Sequence, residues 1–419
     1  MCSADAGHMT RSTAKQTWWL VLAAVIPAGI FAATPTATGD YGAGTLSGDS
    51  PASTIAALLH GHLAAAASAQ PFMGLTSVLL RLPAVALGTA LGGSQLLKYQ
   101  LGAFLCAWVA AIMALIVVRR MLHLGAGRWI VGLVAVLMVL SPLTLANQLS
   151  GHPEELLGGA LCLAAVLAAI DSRPVAAGVL LGLAIGTQEW TLVAIFPTFL
   201  ACPRQRWRMI TVAVTVGAPL ALTLPLANPA AFAHAAHTVG SVSTVNMRSW
   251  WWPISIHHSI AVRGIPGLVL TAFRLPSGWT RTDVSWLVLA VALPASSAFA
   301  RFRRSDDRYA PLGLLALLLL LRCTLDPLFQ SYYVVPLIIV LLAWEGLTRP
   351  TRLPVGSLLA ITLFWRIEGL ALVWQTGVCE LVATVGLAVY LTVATLHLLP
   401  LTRASDRRVQ LPHPGLKLR

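Results

Sequence analysis

Hydrophobic residues in this chain gather into long, nearly unbroken runs, without the two-residue or 3.6-residue spacing of half-buried strands and helices. A helix rises 1.5 Å per residue, so about 20 apolar residues cross the hydrocarbon of a bilayer. Runs near that length lie at 18–33, 98–118, 129–146, 155–170, 209–225, 284–300, 309–322, 332–347, 355–375 and 381–400. The stretch 174–202 is too long for one span and too short for two, and Thr187-Gln188-Glu189-Trp190 interrupts it. It predicts two short helices meeting at a polar turn inside the membrane. Such a break is tolerated where protein or a wet cavity covers the freed backbone. With that broken pair counted as two, the pattern predicts an all-α integral membrane protein of about 12 transmembrane helices.

Composition agrees with this reading. Hydrophobic residues make up 57% of the 419 positions and charged residues only 10%, against about 25% charged in a soluble domain. So few charges cannot clothe a water-facing surface of this size. The net charge of +13 does not indicate nucleic acid, because no basic block interleaved with aromatics stands outside the spans. The basic residues instead flank the spans, where they determine topology. With both termini cytoplasmic, twenty of the 28 Lys and Arg residues fall in cytoplasmic pieces, and the flipped arrangement would invert that ratio. The expected organisation is a cytoplasmic tail at 1–17, one membrane domain at 18–400 and a basic cytoplasmic tail at 401–419. Two outer regions, 34–97 and 226–283, complete it. Arg11 and Lys15 before the first run fit an uncleaved signal anchor in the plasma membrane. Segment 72–91 is apolar enough to span, but spanning would place Arg119 and Arg120 outside. It is therefore expected at the outer interface, with Arg81 snorkelling to the surface. The cysteines are scattered singly, which predicts buried structural thiols and no metal cluster.

Chemistry-bearing residues concentrate in short strings on the outer side. Asp40 and Tyr41 follow the first run directly, where Asp40 is either a general base or a solvated loop carboxylate. His60-Gly61-His62 has the spacing of a chelating pair but lacks an evident third ligand; it lines a polar cleft or faces water. Gln70 and Arg81 follow. Ser150-Gly151-His152-Pro153-Glu154-Glu155 precedes a span, where Pro and an acid suit a first helical turn. Capping accounts for one glutamate, not for His152 and both glutamates together. Gln188 and Glu189 occupy the helix break, at a depth where an ionisable group marks a functional site or braces the break. In the second outer region Arg248 precedes Trp250-Trp251-Trp252, either an interfacial aromatic belt or a site for phosphate and a sugar face. Asp326 caps the following helix or pairs with Arg322, and Tyr332 stands shortly after it.

An acid just after the first span, a long first outer loop with an interfacial segment, the Gly-His-Pro-Glu-Glu string and the broken pair together resemble the GT-C superfamily of polytopic glycosyltransferases. The nearest resemblance is to the polyprenyl-phosphate-mannose-dependent mannosyltransferases of family 87. It covers about residues 18–345 and includes the small-residue helix from Ala176 to Trp190. The resemblance implies transfer of a sugar, mannose foremost, from a polyprenyl-phosphate donor to a glycan or glycolipid acceptor at the outer face of a bacterial cell envelope. Asp40 would then be the base, and Arg248 with Arg81 would hold the donor phosphate. Tyr41, His60, His62, Gln70, His152, Glu154, Glu155, Gln188, Glu189, Trp250, Asp326 and Tyr332 would line donor and acceptor. No metal or other cofactor is implied, and the partners are membrane lipids and these substrates. Gln188 departs from the family pattern, which commonly has a basic residue there. A secondary transporter is the rival class, although the two halves of the chain show no convincing repeat. A catalytically silent envelope scaffold is a third.

Overall fold

The computed structural model describes residues 51–370, apart from short breaks at 72, 242–243, 246–248, 250, 252–253, 262–268, 277, 303–306 and 329, together with residue 386. Asp40, Tyr41, Arg248 and Trp250 lie outside the described residues. The described chain is built chiefly of helices. It opens with α1 (Ala52–Leu59), α2 (Leu63–Ala69), α3 (Leu75–Ala90) and α4 (Gln95–His123). Next come α5 (Arg128–Leu140), α6 (Pro142–Leu149), α7 (Pro153–Ile170) and α8 (Pro174–Ile185). A 3-10 turn (Glu189–Ala194) leads into α9 (Ile195–Ala201), followed by α10 (Arg206–Ala227) and α11 (Pro229–Gly240). After a small sheet come α12 (Arg281–Phe302), α13 (Ala310–Leu325), a 3-10 turn (Ser331–Val334), α14 (Val335–Thr348) and α15 (Val355–Leu370).

Five helical stretches among the described residues are long and apolar enough to cross a membrane: Gln95–His123, Arg128–Gln148, Pro153–Ile170, Arg206–Ala227 and Arg281–Arg301. Shorter apolar helices include Leu75–Ala90, Pro174–Ile185, Ala310–Leu325 and Tyr332–Thr348. Helix α7 is buried along nearly its whole length and packs against α4, α8 and α14. By contrast, α10 and α12 expose large apolar side chains, among them Leu222, Leu226, Trp286 and Leu293. Apolar groups outside and a filled apolar core inside are what a lipid solvent allows. The protein is a membrane protein.

Local signals place the helix starts. Proline occupies the first turn of α6, α7 and α8, where its missing N–H leaves nothing unsatisfied. The Ser94 and Ser141 side chains accept from Leu97 N at 3.2 Å and Thr144 N at 3.1 Å, capping α4 and α6.

The helix break is present where the pattern predicted it. Helix α8 ends at Ile185, Gln188 is extended, and the 3-10 turn begins at Glu189. The carbonyls freed by the break are taken up by the chain ahead of α3: Gly74 N donates to Thr187 O at 2.8 Å and Thr76 N to Gly186 O at 2.9 Å. A Cβ on Gly74 would lie 2.1 Å from Gly186 O, so only glycine admits this approach. Gly178, Gly182 and Gly186 form a stripe on α8. Cβ atoms there would meet Met209 O at 2.6 Å, Ala213 O at 2.7 Å and Leu220 Cβ at 2.5 Å on α10. Small residues at four-residue spacing let two helices touch backbone to backbone within a membrane.

Two features add to or correct the pattern-based reading. The second outer region carries a three-stranded antiparallel sheet, β1 (Thr244–Val245), β2 (Ile256–Ala261) and β3 (Val269–Arg274), in the order β1-β3-β2. Arg81 does not snorkel: it is fully buried between α3 and α4, with its guanidinium 5.8 Å from the Tyr99 ring centre. Helix α3 turns back at Leu91 and lies antiparallel against α4, with Gly102 leaving room for the Arg81 side chain. Burial of the whole α3 face, not of its apolar residues alone, removes Arg81 from any surface.

Candidate functional site

Helix α7 has a different polar end on each side. Its last turn meets the basic cluster: Arg120 Nη1 donates to Asp171 Oδ1 at 3.1 Å and Arg308 Nη2 to the same oxygen at 2.9 Å. Eighteen residues, about 27 Å, away, the first turn of α7 gathers part of the candidate chemistry: the Ser150–Glu155 string, Gln188, and Asp326 with Tyr332. Neither Glu154 nor Glu155 caps the helix. Each carboxylate is fully buried and turned to a partner elsewhere.

Glu155 is held by Arg322 of α13, with Nη1 donating to Oε2 at 3.0 Å and Nη2 to Oε1 at 2.7 Å. The same guanidinium donates to Tyr333 O at 3.4 Å and lies 4.3 Å from the Trp190 ring centre and 4.6 Å from that of Tyr333. A two-pronged pair between aromatic faces is the geometry arginine favours. One cation thus joins α7, the broken helix, α13 and the turn ahead of α14. Gly158 leaves room for this, because a Cβ there would lie 2.9 Å from Trp190 Cζ2.

Glu154 is placed differently. Its Oε1 shares a hydrogen bond with His152 Nδ1 at 2.9 Å and accepts from Gln188 Nε2 at 3.5 Å. Its Oε2 has no partner among the described residues. Gln188 Oε1 in turn accepts from the Trp190 indole N–H. The His152 ring stacks on Tyr332 with centres 4.0 Å apart and planes tilted by 20°. Close by in the chain, at the end of α6, the side-chain amides of Asn147 and Gln148 are buried without partners among the described residues. Tyr99 O–H donates to the Gln148 carbonyl, and both Arg81 and Glu154 are within electrostatic reach of Tyr99. Each buried polar group left unbonded costs about 1–3 kcal/mol, so this grouping is not a settled core.

The rim is closed by the second outer region. Asp326 pairs with Arg281 at 3.5 Å, not with Arg322, and accepts from Leu328 N at 2.8 Å, holding its own turn. Arg281 also donates to Tyr333 O–H at 3.1 Å. Ser249 Oγ donates to Asp326 O at 3.0 Å, and the Trp251 indole N–H to Leu325 O at 2.7 Å. Of the tryptophan triplet, Trp251 therefore binds an exposed end of α13, satisfying a carbonyl that helix ends leave free.

The structure thus joins His152, Glu154, Glu155, Gln188, Asp326 and Tyr332. Glu189 is exposed at the edge of the group. Gln70 has the left-handed φ of 39° and braces the scaffold, its Nε2 donating to Ala67 O at 2.6 Å and Leu224 O at 2.9 Å. His60 and His62 are exposed with ring centres 6.1 Å apart, and among the described residues no three metal-type side chains gather. Sequence reading missed Asn147, Gln148, Tyr99 and Arg281. The two amides stand directly after the apolar run 129–146, next to the Ser150–Glu155 string, and that adjacency is the signal that could have found them.

In chemical terms the group offers a carboxylate oxygen, two amides and an imidazole–phenol stack: hydrogen-bonding partners for hydroxyl groups beside a flat aromatic face. The comparisons with known proteins bear on what such a site handles. No curated protein aligns significantly with the chain. The model of glycosyltransferase family 87 matches residues 83–327, more than half of the 419 residues. That interval holds the Glu154 and Glu155 turn, the helix break, the sheet and Arg322, and ends just after Asp326. The chain belongs to glycosyltransferase family 87.

Proposed function

We propose that this membrane glycosyltransferase moves a sugar, mannose foremost, from a polyprenyl-phosphate donor to a glycan or glycolipid acceptor at the outer face of the cell membrane. Both termini are cytoplasmic in this reading. The observation that supports it is the meeting of His152, Glu154, Glu155, Gln188, Asp326 and Tyr332 at one end of α7, about 27 Å from the Arg120–Asp171–Arg308 cluster. Basic residues that flank the spans mark the cytoplasmic side in this reading, and groups able to bind hydroxyls stand at the opposite end of α7.

In the reaction, an acceptor hydroxyl attacks the anomeric carbon and gives its proton to the Asp40 carboxylate. The bond from the anomeric carbon to the phosphate oxygen breaks, and polyprenyl phosphate leaves with the electron pair. Arg248 holds the phosphate, and a β-linked donor gives an inverted product; Arg81, enclosed between α3 and α4, is left out of this role. The residues act by positioning and general base catalysis, without a metal or other cofactor.

The donor class is tested with purified protein in nanodiscs, an acceptor extract and two labelled donors, polyprenyl-phosphate mannose and a nucleotide-linked mannose. Label passing only from the lipid donor supports the proposal. Label passing from the nucleotide donor, or from neither while another lipid-linked sugar is used, replaces the donor or the sugar.

A further inference from the structure

Five buried polar atoms without partners among the described residues lie on three residues between the end of α6 and the start of α7: Asn147 Oδ1 and Nδ2, Gln148 Oε1 and Nε2, and Glu154 Oε2. Asn147 and Glu154 are fully buried, and Gln148 is 9% exposed. The turn is tightly drawn: His152 N donates to Asn147 O at 3.3 Å, and Tyr99 bonds the Gln148 carbonyl. Buried polar groups in native proteins nearly always have partners, and an exception needs a reason. In a membrane the need is sharper, since lipid supplies no hydrogen bonds.

The two acids of the turn divide their roles. Glu155 is neutralised and fully engaged by Arg322, and its function is to hold four elements together. Glu154 keeps one oxygen free while its other oxygen is held by His152 and Gln188, so its direction is set before any ligand arrives. Amides both donate and accept, and a carboxylate oxygen accepts two hydrogen bonds; vicinal hydroxyls require this combination. A carboxylate at the centre disfavours an anion such as phosphate. The cluster has an open edge, because a third of the His152 side chain is exposed and Gln188 and Tyr332 are half-buried.

We infer that Asn147, Gln148 and the free oxygen of Glu154 form a subsite for the vicinal hydroxyls of a sugar ring, with the His152–Tyr332 stack at its edge. The inference rests on the sugar transfer proposed above and names the residues that read the sugar. The ring belongs to the lipid-linked donor or to the acceptor, since both present the same hydroxyls.

The test is equilibrium binding to the full-length protein in nanodiscs. The ligands are polyprenyl phosphate, its mannose, glucose and arabinose conjugates, and the methyl glycosides of the three sugars. Wild type should bind at least one conjugate about tenfold tighter than bare polyprenyl phosphate, or one glycoside measurably. Glu154→Gln and Asn147→Leu, both close in size to the native side chains, should reduce that sugar-dependent gain to under about twofold and leave the bare lipid unaffected. Binding of the conjugates separates a donor subsite from binding of the glycosides at an acceptor subsite. Asn147→Leu should not lower the melting temperature, whereas a purely structural asparagine would. A wild type that gains nothing from any sugar, or variants that keep the full gain, overturns the subsite. A wild type that shows the gain but transfers no label leaves the subsite standing and removes the transfer proposal.

Discussion

Arg322 illustrates how one side chain organises the site. Its guanidinium binds Glu155 with two hydrogen bonds, stacks on Trp190 and Tyr333, and is almost wholly buried. Removing one member of a buried pair strands the other charge, at a cost of about 3–5 kcal/mol, while replacing both with apolar groups is often close to neutral. Arg322→Met and Glu155→Gln should each lower stability by that order. The double substitution Glu155→Leu with Arg322→Met should recover at least half of the loss. Thermal unfolding in detergent checks this, and a double variant no better than the singles would refute it. These residue-level links explain why legibility in the sequence was uneven. Ser150 to Glu155 exceeds the needs of capping, so its excess chemistry was readable from local spacing. The Arg322–Glu155 pair spans 167 positions, a distance that no local pattern carries, so of the two readings of Asp326, capping or pairing with Arg322, the second rested on nearness in sequence alone. Asn147 and Gln148 are a polar pair at the end of an apolar run, visible in principle but meaningful only once their amides prove buried without partners among the described residues.

At the scale of elements, the broken helix follows from two local facts. The polar Thr187–Trp190 turn cannot continue a lipid-covered helix, and the glycine stripe of α8 lets α10 cover the helix before it. A Cβ on Gly182 would lie 2.7 Å from Ala213 O, a backbone atom that cannot give way. Gly182→Val should destabilise the fold by about 1–3 kcal/mol through overpacking, read as a lowered melting temperature, and Gly74→Ala should do the same at the break itself. Either variant melting like wild type would mean that the α8–α10 contact is looser than described. The break was legible because length and polarity conflicted within one run. The three-stranded sheet was not, since its strands are short and their hydrogen bonds join positions 244–245 and 256–261 to 269–274. The place of α3 was half legible: its apolar character was plain, but only packing against α4 shows Arg81 enclosed instead of reaching for the surface.

For the whole molecule, the charge pattern along the chain sets an expectation about sides of the membrane that two contacts bear on. Arg120 and Arg308, both assigned to the cytoplasmic side by their flanking position, meet at Asp171. His152, Glu154, Glu155, Gln188 and Tyr332 meet at the other end of α7. In a variant lacking its native cysteines, a cysteine introduced at Ser172 should resist an impermeant thiol reagent added to intact cells, while one at Glu189 should react. The reverse pattern would invert the proposed orientation. The central claim, that this protein transfers a sugar from a lipid phosphate with Asp40 as base, is tested most directly by one comparison. Purified wild type and Asp40→Asn are given labelled polyprenyl-phosphate mannose and an acceptor extract, and the initial rate of label transfer is measured. The account predicts transfer by wild type and a loss of about 10²–10⁴-fold in the variant. Transfer that survives in Asp40→Asn at the wild-type rate would contradict it and move the base to another carboxylate, with Glu154 the first to be replaced.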